Sequence, residues 1–244
     1  MSAVFEFHGD LPGLLRAKWR GRQPVVQPVQ RRASIKDVVE SFGVPHTEIG
    51  TIECRGEEVD FSYPVEDDRV FKIFPIRAPW DPARKSLLRP VPLAEIKFIV
   101  DVNVGRLARY LRMAGFDVLY HYRWSDVQII AMISRERRIV ITRDLALLKR
   151  RQVEFGRYVR SEKPAEQLHE IIGFFGLRDK LQPFSRCLDC NTLLEPVAKQ
   201  DILHLLEPLT KKYYHSFSIC PACDKVYWAG SHVEEMRQLF PGYF

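Results

Sequence analysis

The sequence predicts an α/β chain in three parts: a small mixed sheet with one helix, a parallel sheet covered by helices on both faces, and a cysteine-paired segment at the end. Three observations carry this. Residues 3–74 alternate short apolar strands around one capped helix; residues 95–178 alternate strand and helix strictly; and four of the five cysteines fall in two close pairs, Cys187/Cys190 and Cys220/Cys223. A chain of 244 residues with 46% hydrophobic and 11% aromatic residues has ample material for folded cores, which excludes disorder for most of its length.

In the first part, Val4, Phe5 and Phe7 open a strand, and Val25, Val26 and Val29 form a second after a Gly/Arg-rich turn. Ser34 and Asp37 form a capping box before Val38, Val39 and Phe42, and Gly43 with Pro45 stops that helix. The stretches 51–54, 59–63 and 70–74 supply later strands. A ββαββ order within residues 1–75 points to a β-grasp domain. Residues 76–94, with Pro79, Pro82, Pro90 and Pro92 among Arg and Lys, read as an extended linker able to lie along a neighbouring domain.

From residue 95 the pattern changes. Phe98, Ile99 and Val100 make a short buried strand; Leu107, Tyr110, Leu111 and Ala114 mark one helical face closed by Gly115. Residues 116–120 form a second strand, and Ser125 with Gln128 caps a helix carrying Val127, Ile130, Ala131 and Ile133. Ile139, Val140 and Ile141 form a third strand, followed by a short helix through Leu145, Leu147 and Leu148. Residues 156–160 form a fourth, and Pro164 starts a helix with Leu168, Ile171, Ile172 and Phe175 inward. Such alternation implies a parallel sheet with helices on both faces, occupying residues 95–178.

Open parallel sheets collect ligands outside the carboxyl ends of their strands. Asp101 follows the first strand, Asp144 follows the third, and Asp126 begins the helix between them. At about 5 Å and an effective dielectric of about 20, each pair of carboxylates repels by roughly 3 kcal/mol. A divalent cation removes that penalty; raised pKa values are the alternative. Hard oxygen donors suit Mg²⁺ or Mn²⁺, which activate water and neutralise a scissile phosphate. Arg106, Arg109, Arg143 and Lys149 lie near the same edge and suit the flanking phosphates. The bland roles remain beside this: Asp126 complements a helix dipole, Asp144 caps a helix, and Asn103, which could supply a neutral oxygen ligand, is more commonly a turn asparagine.

Charge is distributed accordingly. The net charge is +6, but by region it is −2 over 1–75, +3 over 76–94, +6 over 95–178 and −1 over 179–244. A basic middle points to a polyanion partner for that part. No apolar run approaches the roughly 18 residues that cross a bilayer, and no cleavable leader opens the chain, so a cytoplasmic protein without membrane contact is expected.

The stretch 98–101, then Gly105 to Arg112 with Gly115 to Asp117, then Ser125 and Asp126 through Arg138 to Asp144, resembles the RNase domain called Mut-seven C-terminal, a branch of the PIN-like nucleases. The resemblance continues through Cys223, and residues 1–75 are similar to the ubiquitin-like domain often fused ahead of it. It implies a PIN-like fold, an Mg/Mn acidic site of Asp101, Asp126 and Asp144, and single-stranded RNA as substrate. Many such nucleases add a glutamate in an earlier helix, where this chain offers only Asp117 in a predicted strand. A non-catalytic RNA- or ribosome-binding module is therefore the second reading.

In the last part, 179–244, the cysteine pairs are separated by 29 residues. Four thiolates in two CxxC knuckles match a structural Zn²⁺ ribbon, with an insertion expected across 195–212. A redox pair, or His204 or His215 replacing a cysteine, is the less economical assignment. Cys54 reads as a buried strand residue. Tyr213, Tyr214, Phe217, Tyr227 and Trp228 beside Lys211 and Lys212 suit base stacking or strand packing. A sulfur-carrier role for residues 1–75 is disfavoured, because the chain runs on through Phe74 and Pro75 with no free Gly-Gly; a surface for a protein partner is the expectation there.

Overall fold

In the computed structural model, which describes residues 2–29 and 32–230, the central sheet is four parallel strands: β6 (Phe98–Val100), β7 (Val118–Leu119), β8 (Ile139–Thr142) and β9 (Gly156–Tyr158). Ahead of it lie β1 (Ser2–Phe7), β2 (Val25–Pro28), α1 (Ile35–Phe42), β3 (Ile49–Cys54), β4 (Glu57–Glu58) and β5 (Val70–Pro75). The central helices are α2 (Gly105–Met113), α3 (Asp126–Arg135), α4 (Leu145–Leu148) and α5 (Pro164–Phe175). The end of the described chain adds β10 (Glu195–Val197), α6 (Pro208–Tyr213), β11 (Phe217–Ile219) and β12 (Val226–Trp228).

The central strands are ordered β7-β6-β8-β9. Their period-2 side chains feed two cores. Phe98, Val100, Ile139 and Ile141 pack with Leu107 and Leu111 of α2 and Leu168, Ile171 and Ile172 of α5. Ile99 and Val140 pack on the other face with Ile129 and Ile133 of α3 and Leu147 and Leu148 of α4. Full burial of each such side chain stabilises by about 1.5–3 kcal/mol. Because β6 pairs with both β7 and β8, the chain changes direction between β6 and β8, and the carboxyl end of that pair is the sheet's topological switch point.

The N-terminal sheet is ordered β2-β1-β5-β3-β4, with β1 and β5 parallel and the other pairs antiparallel. The alternating Ala3, Phe5 and Phe7 face α1, whose Ser34 hydroxyl accepts the Asp37 N–H at 3.2 Å. One predicted strand is absent. Beyond Glu58 the segment 59–63 turns, because Asp60 Oδ1 accepts the Ser62 N–H at 2.7 Å in an Asx turn.

Residues 76–94 contain no helix or strand, yet they are not a free tether. Trp80 packs on Phe155, Phe174 and Phe175, and the buried Arg89 donates to the carbonyls of His46, Thr47 and Ile49 at 2.9 to 3.1 Å. Burial pulls the Arg89 pKa down to about 10. This segment thus ties the two sheets together.

Both edges of the central sheet are covered. At β9, Glu48, 1% exposed, accepts the Tyr158 N–H at 2.7 Å and pairs with Arg157 at 2.8 Å and Arg160 at 2.9 Å. At β7, the Asn191 side chain accepts the Val118 N–H at 2.9 Å. Unpaired strand edges invite association, and here flanking parts of the same chain satisfy them. In the ribbon, β10, β11 and β12 form an antiparallel sheet over a small core of Ile202, Leu206 and Phe217. Of the insertion expected across 195–212, residues 195–197 are instead β10 of the ribbon sheet, and a long 3₁₀ segment and α6 occupy most of 199–213. Residues 231–244, counted in the predicted ribbon, lie outside the described residues. Among the described residues no helix is long and apolar enough to cross a membrane.

Candidate active site and metal centre

Asp101 follows β6 directly and is 5% exposed. Its Oδ1 accepts the Val102 N–H at 2.6 Å; its Oδ2 accepts the Asn103 amide at 2.6 Å and the Thr142 hydroxyl at 2.7 Å. Thr142 closes β8, the next strand. Having donated its one proton to Asp101, its Oγ1 accepts the Asp144 N–H at 2.9 Å and the Asn103 amide at 3.1 Å. Asn103 Oδ1 in turn accepts the Arg143 N–H at 3.0 Å. The predicted turn asparagine is therefore the strut that joins the ends of β6 and β8, and Thr142, not singled out in the sequence, is the hub.

Asp144 is the N-cap of α4, accepting the Ala146 N–H at 2.6 Å and the Leu147 N–H at 3.3 Å through Oδ1. Its capping role and its place at the edge coexist, because Oδ2 takes no part in the cap. Asp126 is the first residue of α3, half-buried, and stands outside the network; Ser125 and Gln128 close the capping box, with Gln128 Oε1 accepting the Ser125 N–H at 2.9 Å. None of the three aspartates makes an ion pair among the described residues. Asp117 does: it binds Arg138 at 2.6 Å and Asn191 at 2.9 Å, a structural role that removes it from the edge.

The basic residues divide. Arg106 is exposed in the first turn of α2. Arg143 is held by the Ser161 carbonyl at 2.9 Å and Glu162 at 3.3 Å. Lys149 borders the N-terminal part, where burial and the neighbouring Arg16 lower its pKa. Arg109 faces the ribbon; Lys225, hydrogen-bonded to Asp189, and then Arg109 hold the Asp189 carboxyl below its usual range.

The cysteine site is complete. Sγ of Cys187 lies 3.7 Å from Cys223, and Sγ of Cys190 lies 3.3 Å from Cys220 and 3.8 Å from Cys223. Zn–S bonds of about 2.3 Å place tetrahedral sulfurs about 3.8 Å apart, so this donor set fits Zn²⁺. The two knuckles repeat one backbone plan. Asn191 and Asp224, each just after the second cysteine, have φ of 70° and 57°, and their N–H groups return to the carbonyls of Cys187 and Cys220 at 3.1 and 2.9 Å. The Thr192 hydroxyl draws the Cys190 thiol down to about 6, while burial raises Cys220 and the neighbouring thiols raise Cys223. Among the described residues this is the one group of three or more His, Cys, Asp or Glu donors disposed to hold a metal ion; the three aspartates do not form a second. Cys54 is buried, as expected.

The ribbon is welded to the sheet. Arg112 of α2 donates to the Val118 carbonyl at 2.9 and 3.0 Å and to the carbonyls of Leu188 and Asp189 at 3.0 and 2.7 Å.

Family models match both the N-terminal part and the part that follows it. A model described as Mut7-C RNAse domain matches residues 96–240, and one described as Mut7-C ubiquitin matches residues 1–81. No curated protein and no solved structure matches the chain.

Proposed function

We infer the function from the family: this chain belongs to the Mut7-C RNAse domain family, and we propose that it hydrolyses single-stranded RNA at the acidic end of β6 and β8. The observation that carries the proposal is the Asp101, Asn103, Thr142 and Asp144 network at the topological switch point. Asp101 is a buried carboxylate, and neither it nor the half-buried Asp126 and Asp144 makes an ion pair among the described residues. Carboxylate oxygens are the donor type that Mg²⁺ or Mn²⁺ takes, and Asp101, Asp126 and Asp144, which do not stand as a preformed cluster, would hold the ion once drawn together. When bound, the metal supplies charge neutralisation at the scissile phosphate and a water of lowered pKa.

The chain's own groups set the geometry. Three donors fix the Asp101 carboxylate before any ligand arrives, which lowers the cost of ordering it later. Asn103 and Thr142 hold the ends of β6 and β8 at a constant spacing. Arg106, and Arg143 once drawn from the exposed Glu162, bind flanking phosphates; Arg109 and Lys149 extend the basic surface to either side. A structural Zn²⁺ on Cys187, Cys190, Cys220 and Cys223 would keep the ribbon folded against β7, and the ubiquitin-like part is the surface we assign to a protein partner. Incubating the purified protein with single-stranded RNA and Mg²⁺ or Mn²⁺ tests the reading: cleavage is expected, and its abolition in Asp101→Asn. RNA binding without cleavage, unchanged in the triple Asp→Asn protein, would instead establish the non-catalytic binding module.

A further inference from the structure

Between β7 and Asp126 the chain makes a tight turn, residues 121–124, closed by the Trp124 N–H donating to the His121 carbonyl at 3.1 Å. Four of its features are unusual together. Tyr122 is 63% exposed, with the His121 ring stacked on it at 4.9 Å and 28°. The Arg123 guanidinium sits 5.1 Å over the same Tyr122 ring. Trp124 anchors the turn, packing into the core formed by Ile99, Ile129 and Val140. The turn is thus an ordered aromatic surface held out in water, and the His121 ring is fixed in orientation, since its Nδ1 accepts the Arg123 N–H at 3.2 Å.

Its place is as informative as its composition. β7 runs parallel to β6 in the register Ile99 to Leu119, so residue 121 leaves the sheet level with Asp101, one strand away. Neighbouring strands lie about 4.8 Å apart. Tyr120, at the root of the turn, lies so close to the start of α2 that a Cβ on Gly105 would meet its hydroxyl at 2.3 Å, which explains glycine there. The turn therefore walls the β7 side of the acidic edge, with Arg106 exposed nearby.

We propose that Tyr122 and His121 form a stacking platform for a nucleobase of single-stranded RNA, seating the base while its phosphate lies at the Asp101 and Asp144 edge. The inference rests on the function proposed above, which sets that edge as the place of the phosphate. Planar rings in water recognise the π-face of any base, and an adjoining guanidinium adds attraction for the phosphate chain without reading sequence. A duplex, whose bases are already stacked, gains nothing from such a surface.

The test uses the full chain with no added Mg²⁺ or Mn²⁺ and a single-stranded RNA oligonucleotide carrying 2-aminopurine. Parent protein is expected to bind it and quench its fluorescence, and to prefer it over the duplex of the same sequence. Tyr122→Leu is expected to weaken binding about five-fold or more and to relieve the quench; Tyr122→Phe keeps both. Equal binding and quenching by Tyr122→Leu would overturn the platform even if the metal-loaded protein cleaves RNA. Loss of both in Tyr122→Leu, with no cleavage by the parent, would leave the platform standing and sink the nuclease. A parent that binds no RNA overturns the platform and leaves the rings to a protein partner.

Discussion

At the cysteine knuckles the sulfurs already stand 3.3 to 3.8 Å apart, whereas at the sheet edge Asp101 and Asp144 meet only through Thr142, and Asp126 stands outside their network. The difference is one of chemistry. Each CxxC turn folds its own two thiols toward one point locally, and a Zn²⁺ would neutralise and hold all four together. Three carboxylates close together repel by roughly 3 kcal/mol per pair without a cation, so the fold brings their elements to one edge and fixes one of them rigidly.

The largest effect is expected from breaking the first centre. Stripping the metal with a strong chelator, or replacing Cys187 by Ser, should unfold the ribbon, because structural zinc in small peptides contributes about 10–16 kcal/mol and the ribbon's own core is three buried residues. One zinc per chain should be measured, with hydrogen-exchange protection of β10 to β12 lost on its removal. A metal-free preparation with those strands fully protected would refute this.

The sheet's other edge comes next. Glu48→Gln leaves Arg157 and Arg160 short of a buried counter-charge and should cost about 3–5 kcal/mol by urea unfolding. A change under 1 kcal/mol would show that Asp10 and Glu170, which also approach these arginines, are sufficient.

Smaller effects sharpen the account of the acidic edge. Thr142→Val removes a donor from Asp101 and an acceptor from Asp144, so stability should fall by about 1–3 kcal/mol and cleavage with it; unchanged cleavage would remove Thr142 from the site. Asp144→Asn should barely change stability, since asparagine caps helices as well as aspartate, yet it should impair cleavage. Equal loss of stability in Asp144→Asn and Asp144→Ala would mean that charge, not the cap, matters to the fold.

These contrasts also explain what was legible in the sequence. Paired CxxC spacing encodes a site in consecutive residues, so the four cysteines could be read without knowing the fold. The strand ends at Asp101 and Asp144 were equally visible, because the apolar runs before them mark the strands. Thr142 was not, since a hydroxyl closing a strand looks like any β-branched residue until its partner is known. Nor was Glu48: its partners lie 109 to 112 positions away, beyond any local pattern. The segment 76–94 reads as an extended linker able to lie along a neighbouring domain, which it does, but nothing local marks the half-buried Trp80 and the buried Arg89 as the residues that fasten it.

The most direct test of the central claim is cleavage of single-stranded RNA by zinc-replete protein with Mg²⁺ or Mn²⁺, parent against Asp101→Asn. Cleavage by the parent is expected, with a loss of about 100-fold or more in the variant, the scale of losing a centrally placed electrostatic group, and with the fold retained. Equal cleavage by the two proteins, or none by the parent, would contradict it.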